Sequence, residues 1–330
     1  MSRAPIFPTA PIAPKLKAFQ RMPPAVFPAI MGLFGLGLAL RRAAETFGAT
    51  GGAAAGLAEA ILGATTLLWA FASLGYGVKL LRRPGVIWAD LGVLPGRAGL
   101  AAMTLGVFLV AAVLLPYAPV LAKTVMLAGF ALHAGLALLV LLAFARGPAE
   151  LRQVTPVWHL HFVGFIIAGL AAAPLGMIAL AQGLVWGTGA IALLIWGASL
   201  WQFIGRIPPA PLRPLLAIHL APVSLLGTVA ALSGLGAVAQ AMALFGAALL
   251  LALVLGARWM LQSGFSPLWG ALTFPLAAYA SLCLSLGGVW GYFGLGLVLI
   301  GLGMIPAIAV KVIQLWVRGT LAVKTNAATA

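Results

Sequence analysis

Residues 214–257 read PLLAIHLAPVSLLGTVAALSGLGAVAQAMALFGAALLLALVLGA. No Asp, Glu, Lys or Arg falls within this stretch, which Arg213 and Arg258 bracket. Two apolar runs cover it, 212–232, which begins just before it and takes in Arg213, and 235–257, joined at Ser233–Gly236. Each run has the roughly 20 residues that cross about 30 Å of hydrocarbon as a helix. Lipid offers no partner for backbone N–H and C=O groups, so such a run is helical. The joining turn is too short for anything but an antiparallel return. The stretch is a membrane hairpin whose two open ends carry basic residues.

The same pattern extends in both directions. Apolar runs fall at 24–41, 55–80, 98–115, 118–144, 158–180, 183–204, 212–232, 235–257, 266–286 and 289–317. The turns after the third, fifth, seventh and ninth are short, at Pro116–Ala118, Ala181–Gly183, Ser233–Gly236 and Gly287–Trp290. The intervening connections, such as 82–97 and 206–213, are longer and basic. The expected fold class is therefore all-α and integral to the membrane, with ten transmembrane helices as five hairpins. Domain organisation follows: an N-terminal segment 1–23, a membrane domain 24–318 and a C-terminal tail 319–330.

Composition excludes a soluble chain. Sixty-three per cent of residues are hydrophobic and 7% charged, against about half and a quarter in soluble domains. The net charge of +15 does not indicate nucleic acid, because the basic residues are scattered between apolar runs and form no patch. They set orientation instead. Of the nineteen Lys and Arg residues, only Arg41, Arg42 and Lys123 fall on the side opposite the N-terminus. The positive-inside rule then places both termini in the cytoplasm, which requires an even helix count. Trp88, Trp158, Trp201, Trp259 and Trp316 near inner ends, with Trp186 and Trp290 near outer ends, read as interfacial aromatics. Residues 1–25 are Pro-rich without a compact apolar stretch, so a cleavable signal is not expected. Cys283 stands alone in an apolar run and reads as a small core residue.

Prolines mark the odd-numbered runs: Pro28, Pro174, Pro222 and Pro275. Even-numbered runs lack internal proline until Pro306. Proline frees backbone groups, which lipid-facing helices do not tolerate but cavity-lining helices do. Odd helices are thus expected inside, lining a pore, with even helices outside against membrane lipids.

Catalytic chemistry finds no constellation. No HExxH, GxSxG, P-loop or dinucleotide fingerprint occurs, so no enzyme is expected. His159 and His161 lie two residues apart on different helix faces, and no acid is close in sequence. Neither a metal site nor a cofactor is expected. The four acids are Glu45, Glu59, Asp90 and Glu150, and no buried titratable group of a proton-coupled carrier stands out. A near-neutral wall with positive mouths suits a small anion that binds weakly and leaves quickly.

Residues 265–278, FSPLWGALTFPLAA, resemble the ninth helix of the TehA family. That family takes in bacterial tellurite-resistance proteins, malate and dicarboxylate transporters, and the slow-type anion channels of plant guard cells. The stretches RMPPAVFPAIMG (21–32), IPPAPLRP (207–214) and HLAPVS (219–224) are similar to the entry of helix 1 and to helix 7 of the same family. The resemblance covers essentially the whole chain. It implies five hairpins in pseudo-fivefold order around a central pore, a homotrimer of independent pores, and a bacterial inner-membrane location. It also implies a gate: Phe274, in the Thr273-Phe274-Pro275 segment, plugging the pore. Phe27, Pro28, Pro174, Pro222, Thr273, Pro275 and Ala278 are the pore-lining candidates. Departures are Gly270, where related sequences often carry an aromatic, Ala278, which offers no hydroxyl, and the short chain ends. The expected function is a gated channel for small inorganic anions such as chloride and nitrate. The alternative on the same fold is a carrier or efflux protein for tellurite, four-carbon dicarboxylates or sulfite.

Overall fold

The computed structural model describes residues 19–330. Arg3, Lys15, Lys17 and most of the 1–23 segment lie outside the described residues. Among the described residues the chain is helical, with no strand. Ten helical elements follow in order: α1 (Pro24–Thr46), α2 (Ala53–Arg82), α3 (Leu94–Leu114), α4 (Pro119–Arg146), α5 (His159–Ala172), α6 (Ile178–Gly205), α7 (Ala210–Leu232), α8 (Gly236–Leu255), α9 (Pro267–Leu286) and α10 (Gly288–Val317). Nine of these, all but α5, are long and apolar enough to cross a membrane.

The sequence predicts a continuous fifth helix over 158–180, and here the structure differs. The element is a π-helix at His159–Val163, a 3-10 helix at Gly164–Ala168 and one α turn at Gly169–Ala172. Even at 1.5 Å per residue that is roughly 21 Å, short of the about 30 Å of a bilayer core. Pro174 is not inside a helix. It is exposed in the turn after α5, where it has no N–H with which to extend the helix. Gly176, at φ +76°, then redirects the chain into α6.

The other three odd-run prolines lie inside their elements. Pro28, Pro222 and Pro275 sit in the first turn of the α segments beginning at Phe27, Leu220 and Thr273. Each α segment is preceded by a 3-10 stretch, at Pro24–Val26, Ala210–His219 and Pro267–Leu272. A proline cannot donate to the carbonyl four residues back, so the upstream backbone tightens to i→i+3 bonding.

Burial separates the elements into two classes. In α1, α3, α7 and α9 the apolar core of the helix is 67–89% buried; in the even-numbered helices it is 17–39%. α1 packs on α3, α3 on α5, α5 on α7, α7 on α9, and α9 returns to α1. These contacts close a ring of five elements. Each even element packs on the odd one before it and turns its far face outward, as the exposed Leu74, Leu138, Leu194 and Leu255 show. Small residues allow close approach within the ring: a Cβ on Gly32 would overlap the Thr273 side chain.

Two ion pairs tie the ends. Where the odd elements begin, Lys79 and Asp90 are both fully buried and paired at 2.7 Å. Lys79 also donates to the Met22 carbonyl at 3.0 Å. Asp90 accepts further bonds from Tyr76 Oη at 3.1 Å and the Ala328 N–H at 2.8 Å. Lys79, by hydropathy one of the basic residues at an inner helix end, is a core residue that holds α2, the short helix Val86–Leu91, Met22 and Ala328 together. At the opposite end Arg41 pairs with Glu59 at 2.7 Å and donates to the Ala112 carbonyl at 3.1 Å, joining α1, α2 and α3. Asp90→Asn leaves Lys79 as a buried, uncompensated cation, which costs about 3–5 kcal/mol. The expected result is a large drop in thermal unfolding midpoint in detergent, mostly recovered by Lys79→Met with Asp90→Leu.

Candidate functional site

Within the ring of odd elements lie two small, partly open cavities of about 40 and 20 Å³. The larger lies where the odd elements begin, with Pro28, Pro95, Leu160, Leu215 and Ala271 among its walls. The smaller reaches deeper, to Leu105, Gly164, Ile167 and Leu225. Every one of the five odd elements contributes to both walls. Met31, Leu160, Ile218, Ala221 and Phe274 belong to both, so they form the boundary between the two spaces. The larger wall contains no polar side chain; the smaller contains one, His159.

Phe274 is 5% exposed and is the one aromatic side chain on that shared boundary. Gly35 makes room for it: a Cβ there would sit 3.1 Å from the ring. Pro275 and Pro28 line the larger cavity and Pro222 the smaller. Phe27, Thr273 and Ala278 are buried in the helix contacts but lie in neither wall. Thr273 Oγ1 donates to the Gly270 carbonyl at 2.7 Å, supporting the 3-10 stretch. Pro174 is remote from both cavities. Gly270 lines the larger cavity, and its missing side chain leaves only the close packing of α9 on Pro28.

Sequence reasoning missed Met31, Leu160, Ile218, Ala221 and His159. A signal did exist in α7: positions 218, 221, 222 and 225 share one helix face. His159 was set aside because His161 lies on another face. Its partner is distant in sequence: His159 Nε2 lies 3.0 Å from His219 Nδ1. His159 Nδ1 is buried with no hydrogen-bond partner.

Three cations lie at the end where the odd elements begin. Arg97, 7% exposed at the start of α3, donates to the Leu151 carbonyl at 3.0 Å and lies over the Phe144 ring. Arg213 lies 4.2 Å over Trp259, and Lys311 5.2 Å over Phe265. Among the described residues none of the three pairs with a carboxylate. Three uncompensated cations at one end give that mouth a positive potential.

A family profile described as voltage-dependent anion channel matches residues 21–318. The chain belongs to the voltage-dependent anion channel family. It is therefore a multi-pass membrane protein of a family whose members are anion channels or transporters rather than enzymes. The match includes all five odd elements, their helix partners and both cavities of this family member. A search of curated proteins finds no match.

The close crossing of α1 and α9 at Gly32 yields a structural prediction. Gly32→Val drives a side chain into Thr273 and is expected to cost about 1–3 kcal/mol as overpacking. Gly296→Ala, where a Cβ meets nothing, leaves the thermal midpoint in detergent unchanged.

Proposed function

We propose that this family member is a gated channel for small anions such as chloride and nitrate, and that Phe274 is its gate. The supporting observation is the position of Phe274 on the wall shared by the two cavities, inside a ring to which all five odd elements contribute. The path along the ring axis is apolar, so an anion in it loses water and meets almost no compensating side chain. An aromatic ring across a narrow apolar passage blocks by volume and by excluding water. Pro275 leaves the backbone beneath Phe274 with one hydrogen bond fewer, which lowers the cost of moving the ring aside. The cations Arg97, Arg213 and Lys311 raise the local anion concentration at the mouth.

In this reading α5 completes a set of ten helical elements as five hairpins in pseudo-fivefold order, and residues 24–318 form the channel domain. Both termini are cytoplasmic, the protein sits in a bacterial inner membrane, and three copies assemble with one pore each. The carrier reading, with tellurite, a four-carbon dicarboxylate or sulfite as cargo, differs in one measurable respect: its flux saturates.

Currents across planar bilayers test the proposal. Wild-type protein is expected to conduct little. Each 1.4 kcal/mol removed from a barrier gives about tenfold in rate, so Phe274→Ala should raise chloride and nitrate current by about tenfold or more, with reversal potentials following the anion gradient. Silent Phe274→Ala protein in bilayers, with saturable uptake of labelled tellurite or malate, would overturn the channel reading in favour of the carrier.

A further inference from the structure

We propose that the His159–His219 pair is an anion-binding site that takes up one proton together with its anion. This deepens the channel reading and rests on it for the class of ligand, a small inorganic anion such as chloride.

Three observations carry the inference. First, His159 is the one polar side chain in the wall of the smaller cavity, beside Phe274. Second, its Nε2 lies 3.0 Å from His219 Nδ1, so one proton sits between the two rings. Third, His159 is 2% exposed and its Nδ1 has no hydrogen-bond partner. A satisfied core histidine would have both nitrogens engaged.

The proton count follows from the geometry. The neutral pair carries two N–H protons on four nitrogens, one of them in the inter-ring bond. The second resides on His159 Nδ1 or His219 Nε2. One added proton from water fills the remaining nitrogen, so that His159 Nδ1 becomes an N–H donor on a cation shared by both rings. That donor lacks a protein acceptor, and an anion supplies one.

The surroundings make the two events mutually dependent. On α3 the charged or bonded groups facing this region are Arg97 and Thr104; on α4 it is His133, bonded to Thr104 at 2.8 Å. α5 itself adds His161, whose nitrogens are both unpartnered. α6 brings the Trp196 ring, 5.5 Å from that of His159. α7 brings His219 and, at its start, Arg213; α9 brings the apolar Phe274. None of these groups is acidic. A cation on the pair is therefore uncompensated until an anion arrives, and an anion in an apolar cavity is uncompensated until the cation forms. Each favours the other by the same coupling free energy.

Sodium chloride is the probe. Added to lightly buffered, purified wild-type protein, it should draw close to one proton per bound chloride out of solution, read with a pH indicator dye. Chloride affinity should tighten by about tenfold per pH unit lowered while the pair is neutral, as one-proton linkage requires. His159→Gln and His219→Gln should each abolish the proton uptake and flatten the pH dependence. Chloride binding that is independent of pH, binding without proton uptake, or uptake that survives both substitutions would overturn the proposal. The wild-type pH series decides the matter even if a variant fails to fold. The channel reading fails separately: Phe274→Ala protein without anion current contradicts the gate whatever the pair does, whereas large but pH-independent Phe274→Ala currents contradict only the pair.

Discussion

Every backbone N–H and C=O in a lipid bilayer must find its partner within the protein, and the architecture of this chain follows from that requirement. Regular helices meet it alone, and the even-numbered elements are regular helices 20–30 residues long. Four of the five odd-numbered elements do not, α3 being a regular helix. α1, α7 and α9 start as 3-10 helices, and α5 changes from π to 3-10 to α within its short length. Such irregular backbone is stable only when other protein surrounds it. The burial of α1, α5, α7 and α9 follows from that constraint, while α3, a regular helix, is buried by its place in the ring between α1 and α5.

The same irregularity produces the site. Prolines early in the α segments of α1, α7 and α9 keep the helix entries from packing as smooth cylinders. Alanine, proline and glycine at those entries leave the larger cavity open. Deeper in, Met31, Leu160, Ile218, Ala221 and Phe274 converge and divide the space. The wall is apolar while the charges gather at the rim. In the proposed channel, attraction and barrier are thereby separated: long-range electrostatics act at the mouth, and the cost of dehydration acts inside.

Much of the fold is legible in the residues. Length and hydropathy give the nine long spans, and the turns expected at Pro116–Ala118 and Ser233–Gly236 fall between helices, whereas Ala181–Gly183 lies inside α6. Phe274 was legible only through resemblance, since a phenylalanine in an apolar helix looks alike whether it faces lipid, core or cavity. α5 was misread because hydropathy does not distinguish α from π or 3-10 backbone, and Pro174 looked internal to a run it terminates. The Lys79–Asp90 and His159–His219 pairs stayed hidden for a different reason. Their partners are 11 and 60 residues apart and meet only through helix packing, which no local spacing encodes. The apolar helices also lack a polar stripe, so the sequence does not say which face looks inward.

The central claim is that a continuous path runs inside the five odd elements and is interrupted at Phe274. Single cysteines at Ala98, Leu215 and Ala271 in the larger cavity, and at Leu105 and Leu225 in the smaller, test it in a Cys283→Ala background. The reagent is a small anionic thiol label, applied to sealed vesicles of each orientation. The account predicts that the first three positions react from the side where the odd elements begin, and that Leu105 and Leu225 become reactive from that side only when Phe274 is also replaced by alanine. Equal reaction at all five positions with Phe274 intact, or none in either background, would contradict it.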